Sequence, residues 1–542
     1  MNKHKLYMSL LSVCLVTFVG CAKNQSTYRA DTDNETVVSD TENTEDAEKT
    51  VQVSTTEGIN TDLKGEYSDK ALDSSYHEND ITTITLNGKT AKSDGNGAKV
   101  RDDSIYISKK GTYVLHGTLD DGQIIVELKE NENVQLVLDN ADITCSFGSA
   151  IQVISVKNLY LTLADGSKNS VSDGTVYKED TSGDNPNAAV FSQEDLIING
   201  SGSLDVTGNY RDGITSKDDL TIVEGNISVN AVDDALVGKD SVTLKNPVLN
   251  LSCSGDGIKS SNEKDTSKGF VVIDGGEVTI NSGDDGIHSE TALVINDGTI
   301  NIKESQEGLE SLNIVINNGD ISVVSSDDGI NISGGNDTTS QDVPAWGRGG
   351  GMDTPIDGAL IINGGDITIN ADGDGIDSNG SILITGGDVI VAGPSNDGNG
   401  FFDYNGTFEL DKGTVFAYGS QGMAQICSDC SSQTFIAASV ESFGSGDEVT
   451  IYNSNDEIEA SYTLEKQGTF IFYSSDSLVK DEVYTLKCSG NETNITAGDT
   501  TAVQSMGRNG MHGQGGLGHG ENGKFNQDRP DMHDGKDMPP HN

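Results

Sequence analysis

Residues 255–331 read GDGIKSSNEKDTSKGFVVIDGGEVTINSGDDGIHSETALVINDGTINIKESQEGLESLNIVINNGDISVVSSDDGIN. An acid–Gly–Ile/Leu triplet recurs through them, at Asp256-Gly257-Ile258, Asp285-Gly286-Ile287, Glu307-Gly308-Leu309 and Asp328-Gly329-Ile330. Most triplets are followed by two short β-rich runs split by a Gly turn, as in 292–295, Asp297-Gly298 and 299–302. The triplet extends outward to Asp212-Gly213-Ile214, Asp234-Ala235-Leu236 and Asp374-Gly375-Ile376, with an echo at Asp397-Gly398-Asn399. From Asp212 onward the steps between acids are 22, 22, 29, 22, 21, 46 and 23 residues.

A period of about 22 residues with short strands and Gly turns predicts a solenoid. Each repeat has room for three short strands and three turns, one coil of a parallel β-helix stacked at roughly 4.8 Å. A propeller blade needs a period of about 40 residues, and leucine-rich repeats carry Leu and Asn at fixed offsets. The 46-residue step is either two coils or one coil with a long insertion.

Stacking turns registers into columns. Ile214, Leu236, Ile258, Ile287, Leu309, Ile330 and Ile376 form an expected inward ladder, and Ser216, Gly238, Ser260, Ser289, Ser311 and Ser378 a column of small residues. The residue after the acid is Gly, or Ala once at Ala235, which fits close backbone approach or positive φ. The acids themselves stack, and like charges ~5 Å apart at an effective dielectric of ~20 repel by roughly 3 kcal/mol per pair. Either the carboxylates splay into solvent or cations lie among them. Hard oxygen donors grouped in this way suit Ca²⁺, which accepts six to eight oxygens in tolerant geometry. The candidate ligands are Asp256, Asp284, Asp285, Glu307, Glu310, Asp327, Asp328, Asn331, Asp372, Asp374 and Asp377.

The flanks are of other kinds. Lys3, His4 and Lys5 precede an apolar run ending at Gly20-Cys21, which reads as a lipoprotein signal over 1–20 with lipidation at Cys21; a plain secretory signal is the alternative. Phe18 stands where such a box usually has Leu. Residues 21–78, rich in Thr, Asp, Glu and Ser, are expected to be a disordered tether. The β-helix with its N-terminal cap is expected over 79–420, a small C-terminal β region over 421–495, and a disordered Gly/His/Met-rich tail over 496–542.

With 86 acidic against 34 basic residues the net charge is −52, which argues against nucleic acid and anionic membrane surfaces as partners. Membrane attachment is expected only through the lipid, and a monomer is expected. Beyond Cys21 the exported chain keeps five cysteines, an odd number with no disulfide framework. Cys427-Ser-Asp-Cys430 has no second pair, so zinc is not expected. Residues 334–358 break the period and hold the lone Trp, Trp346. A long loop in a compact repeat points to function or disorder. Trp346, Phe402 and Tyr404 are the candidate sugar-stacking aromatics.

The motifs GDGIKS, DDGIHSE, EGLES and SDDGIN resemble those of the bacterial carbohydrate-binding domain-containing lipoproteins. So do GTYVLHGTLDDGQIIVEL, VQLVLDNADITCSFGSAIQV, LYLTLADGSKNSVSDG, GPSNDGNGFFDYNG and GMAQICSDCSSQ, and the likeness covers roughly residues 80–490. The resemblance implies an all-β, right-handed parallel β-helix, similar to polysaccharide lyases. It also implies calcium at the acids of DDGI, EGLE, DDGIN and DGDGID, and binding of cellulose or acidic polysaccharides such as polygalacturonate. The expected function is calcium-stabilised carbohydrate binding outside the cell, lipid-anchored to the membrane. The enzymatic alternative is a lyase acting by β-elimination, with Lys259, or the neighbouring Lys217 and Lys239, as base. The simpler role for these lysines is to neutralise the acid column. A third alternative is an adhesin or structural solenoid.

Overall fold

The computed structural model describes residues 59–77, 81–129, 131–177, 185–333, 356–428 and 431–501. The expected signal segment with Cys21, most of the tether, Trp346, Cys430 and nearly all of the tail lie outside them.

Each triplet opens one pass of the chain. After Asp212 come strands Asp212–Ser216, Asp219–Ile222 and Asn226–Ala231; the next pass gives Leu236–Gly238, Ser241–Leu244 and Val248–Ser252. Every strand pairs in parallel with its equivalent one coil on. The pattern continues to Phe402–Tyr404, Phe408–Leu410 and Thr414–Gly419. The described residues are therefore all-β, in long parallel sheets, with one four-residue helix, Asp69–Leu72. Ile330 pairs directly with Ile376, so the 46-residue step is one coil carrying an insertion between Ile330–Ile332 and Ala359–Ile362. The 29-residue step places its extra residues at the same corner, between Ile258–Ser260 and Phe270–Ile273.

The aliphatic ladder runs in register from Ile214 to Ile376 and ends on Phe402, with every member fully buried. Ser216, Ser260, Ser289, Ser311 and Ser378 are buried beside it; Ser289 Oγ donates to Ser311 Oγ at 2.9 Å, which satisfies one hydroxyl inside the stack. The triplet glycines are there for close approach. A Cβ on Gly286 would stand 2.6 Å from the carbonyl oxygen of Gly308, and one on Gly308 2.3 Å from that of Gly329.

One stretch expected in the tether is ordered. Residues 59–77 lie as a strap along the outer face of the sheet of second strands. That face is apolar: Val272, Val294, Val315 and Ile361 are buried on it, with Ile59 and Leu63 packed against them. The second strands read FVVI, ALVI, NIVI and ALII without alternation, as strands covered on both faces do. Asn317 Nδ2 donates to Thr61 O (2.8 Å), Asn296 Nδ2 to Leu63 O (2.9 Å) and Asn199 Nδ2 to Ala71 O (2.9 Å). Gly65 passes so close that a Cβ there would lie 2.4 Å from Thr243 Cγ2. The composition of 59–77 is polar because half of each extended residue pair faces water; the strap's few apolar residues suffice for its one buried side.

The ends of the stack are closed. Ile81–Gly88 pairs with Gly111–Leu119 in parallel and with Thr90–Ser93 antiparallel, and Ala98–Arg101 forms a hairpin with Ser104–Ile107. At the other end Gly468–Ser474 pairs antiparallel with both Thr414–Gly419 and Phe435–Phe443. A four-stranded antiparallel sheet follows, in the order Ile458–Thr463, Glu448–Tyr452, Val483–Cys488, Asn491–Thr496. The C-terminal region extends to Ala497, which is buried in its core, two residues beyond the expected limit.

Candidate metal centre

The acid column and a second column three residues on flank one corner of the stack. By strand register the second column is Thr215, Val237, Lys259, His288, Glu310, Asn331, Asp377 and Asp403. The backbone answers part of the repulsion among the acids. Asp256 N–H donates to Asp234 Oδ1 (2.8 Å), Asp285 N–H to Asp256 Oδ1 (3.0 Å), Asp374 N–H to Asp328 Oδ1 (2.6 Å) and Gly400 N–H to Asp374 Oδ1 (2.5 Å). One oxygen of each carboxylate is thus tied to the next coil, and the other faces the second column.

In the earlier coils that column supplies cations. Lys259 Nζ lies 2.5 Å from Asp256 Oδ2 and 3.9 Å from Asp234 Oδ2. Against the desolvation of its site, the two carboxylates hold Lys259 protonated well above its usual range. Such a lysine is a poor base at neutral pH. One coil on, His288 Nδ1 sits 2.7 Å from Glu310 Oε2 and 3.2 Å from Asp285 Oδ2, all three side chains buried. Ser333 Oγ donates to Glu310 Oε1 at 2.5 Å. Although burial opposes it, the surrounding carboxylates push His288 up to about 12, so the imidazolium is a fixed charge at neutral pH. Here the protein's own cation stands among the carboxylates, and the donor set does not fit a hard metal ion.

In the later coils the column turns acidic. Asp328, Asp374 and Asp377 bring carboxylate oxygens within 4.8 Å of one another. Burial, then the neighbouring carboxylates, push Asp377 up to about 7; Asp374 rises to about 6 and Asp328 to about 8 for the same reasons, each partly relieved by a backbone N–H. The charges acting on Asp374 and Asp377 are all carboxylates, from Asp327 and Asp403 among them. Gly373 leaves the space open: a Cβ there would stand 2.5 Å from Asp327 Oδ1 and 2.6 Å from Asp328 Oδ1. Asn331, in register beside Asp377, gives its amide N–H to Glu307 Oε2 at 2.7 Å, while its Oδ1 is buried with no hydrogen-bond partner among the described residues. An all-oxygen cradle with an unused amide oxygen fits calcium.

The remaining expected site residues divide. Asp284 joins Asp256 and Asp285 in a second oxygen group, at the edge of the Lys259 and His288 pairs. Asp372 is mostly exposed and bonds Lys466 Nζ of the C-terminal region at 2.8 Å, outside the cluster. Phe402 cannot stack on a sugar: it is the fully buried end of the inward ladder, packed edge-on to Phe401, Phe408 and Phe472. Tyr404 is half-buried, its hydroxyl donating to Ile426 O at 2.7 Å. Lys239 is exposed, and Lys217 Nζ lies 5.8 Å from the centre of the Phe191 ring. Sequence reasoning missed His288 and Asp403, which its own +3 register would have found. It also missed the Tyr177–Tyr210 pair, rings stacked at 4.3 Å, beside Arg211 at the start of the column.

Residues 101–343 match the family model of carbohydrate-binding domain-containing proteins. A protein of that description from Acetivibrio thermocellus is 36% identical over 217 residues, covering 40% of this chain and 76% of that protein. A solved structure, of the polysaccharide lyase-like protein from C. thermocellum as its gadolinium derivative, is 34% identical. It aligns over 41% of this chain and 90% of its own with a TM-score of 0.40.

Proposed function

The chain belongs to the carbohydrate-binding domain-containing protein family, and from that premise we propose that it is a calcium-stabilised polysaccharide binder at a bacterial cell surface. The reading takes the solenoid as right-handed and monomeric, lipid-anchored through Cys21, and its glycan as plant-type or acidic. The observation that carries the calcium site is the oxygen cluster of Asp328, Asp374 and Asp377, with Asp327, Asp403 and the amide oxygen of Asn331 around it. Bound calcium would neutralise these carboxylates and offer open positions to sugar hydroxyl or carboxylate oxygens. The chain's own part is to hold the oxygens of three successive coils at one corner, with Gly373 keeping the approach clear. Binding is favoured over β-elimination because Lys259, the strongest candidate base, is locked on Asp256.

The test is retention on immobilised polygalacturonate and on cellulose, in calcium and in EDTA, together with absorbance at the wavelength of unsaturated uronates. Calcium-dependent retention without new absorbance supports the reading. Growing absorbance, lost in Lys259→Ala, replaces it with the lyase, and retention indifferent to EDTA removes calcium from it.

A further inference from the structure

The C-terminal region does more than close the stack. Where its four-stranded sheet meets the last coils, a cleft of about 410 Å³ opens. Asp388, Ile390 and Thr414 line it from the third strands, and Glu459, Tyr462 and Tyr473 from the C-terminal region. Phe416 covers one face of the Tyr462 ring, stacked at 3.9 Å, so what this half-buried side chain leaves to the cleft is its other face, its edge and its hydroxyl. Tyr473 tilts across it at 6.3 Å and 56°, and the two rings meet as a corner. Neither the Tyr462 hydroxyl nor the exposed Asp388 carboxylate has a hydrogen bond or ion pair among the described residues. Burial, with Tyr473 and Asp388 beside it, raises the Tyr462 phenol well above its ordinary range, so it stays a protonated donor. Glu459 is held in place by the hydroxyls of Ser475 and Ser477.

Asp388 is shared with a longer groove, of about 1290 Å³, that follows the corner between the second and third strands over the turns at Gly276, Gly298, Gly319, Gly365, Gly387 and Gly413. Five steps of register separate Glu277 from Thr414, about 24 Å at 4.8 Å each. Gly365 and Gly387 have φ of 96° and 90°, and a Cβ on Gly387 would stand 2.9 Å from Gly365 O, so the floor is bare backbone. Glu277, Asp320, Asp366 and Asp388 stand exposed along one wall. Among the described residues the groove's one cation is Lys245, at the far end, its Nζ 5.2 Å from the centre of the Tyr67 ring. A polyuronate is repelled along this length, whereas carboxylates without cations accept strong hydrogen bonds from hydroxyl groups. Tyr462 adds what a row of acids lacks, a ring face for the C–H face of a sugar and a hydroxyl donor, which a bare cation could not use. Resting on the reading that the ligand is a polysaccharide, we infer that the cleft at Tyr462 and the groove leading to it form a second site, independent of calcium, that takes an uncharged glycan chain.

The experiment is calorimetric titration of the full chain with cellohexaose in EDTA, with oligogalacturonate as the charged glycan and hexalysine as a cationic probe. Cellohexaose is expected to bind in EDTA with an affinity that raised salt leaves unchanged, while oligogalacturonate gives no heat there. Asp388→Ala, a surface change that leaves the melting temperature unmoved, is expected to lower the affinity at least about tenfold. Tyr462→Ala is expected to do the same, and Tyr462→Phe, which keeps the packing on Phe416, to lose about threefold. Cellohexaose binding in EDTA that none of these variants weakens places the glycan elsewhere and removes this site alone. Binding that appears only with calcium also removes it and leaves the calcium reading standing. Binding in EDTA that Asp388→Ala weakens, in a protein whose melting temperature calcium does not shift, upholds this site and removes calcium. Heat from hexalysine that Asp388→Ala abolishes, with none from cellohexaose, gives the groove to a cationic partner and overturns the inference. Absence of heat with either glycan in any condition overturns both readings.

Discussion

Two stretches of one corner solve the same electrostatic problem in opposite ways. Around Asp256 and Asp285 the neighbouring column carries Lys259 and His288, and the acids are paired internally. Around Asp328 and Asp374 the same register carries Asn331, Asp377 and Asp403, and the acids face other acids. The backbone is the same and the triplet is the same. A single register position decides whether a coil sets its own cation among the acids or leaves them facing one another.

The difference can be broken most violently at His288. His288→Ala leaves Asp285 and Glu310 buried without their cation, at a cost of about 3–5 kcal/mol; a small loss in denaturant unfolding would mean that the pair is dispensable. In the later coils the perturbation comes from solution. Calcium at a hundredfold excess over its Kd should stabilise the wild type by about 2.7 kcal/mol. The double variant Asp374→Ala with Asp377→Ala should show no calcium-induced rise in Tm; an equal rise in both proteins would place the ion elsewhere.

The pH response sharpens the contrast. Asp328, at about 8 in the fold, Asp377 at about 7 and Asp374 at about 6 all bind their protons more tightly than an unfolded aspartate, at about 4. The folded state therefore binds more protons than the unfolded one between these values, and its stability falls as pH rises through that window. In EDTA, Tm should drop between pH 5 and pH 8 by this contribution, and calcium should abolish the drop. The His288 cluster responds over a wider range: burial pushes Asp285 up to about 9, and His288 gives up its charge only as pH climbs toward about 12. A Tm in EDTA that holds level from pH 5 to 8 would argue that the later acids are not buried together. The smallest expected effect lies away from the corner: Asn317→Ala removes one bond to the strap and should cost about 1 kcal/mol, seen as faster amide exchange of the strap. Unchanged exchange would mean that apolar packing alone holds it.

The coil itself was legible because Ile258, Ile287, Leu309 and Ile330 recur at nearly constant spacing in a setting where only stacking makes such spacing useful. The acid column was legible for the same reason. His288 was not, because one imidazole between Ile287 and Ser289 looks like any polar strand residue until its register neighbours, Lys259 and Glu310, are aligned with it. Phe402 misled because an aromatic near a Gly-rich turn suggests a surface platform, whereas its column position, above Ile376, fixes it inside. The strap was hidden by its own composition, although the unbroken apolar runs of the second strands had already announced that something must cover them.

The strap also works as a ruler. From Thr61 to Ser74 it follows the stack from Asn317 down to Gln135, whose Nε2 lies 3.5 Å from Ser74 O. The second strands between these contacts make seven steps, or about 34 Å at 4.8 Å each. Of the thirteen steps from Thr61 to Ser74, four are helical and nine are not, a reach of at most about 36 Å. Repeat proteins ordinarily gain or lose units freely, since each repeat touches only its neighbours. In this one, deleting a coil leaves the strap slack by more than a residue and inserting one leaves it short, so the number of coils and the length of the N-terminal segment can change only together.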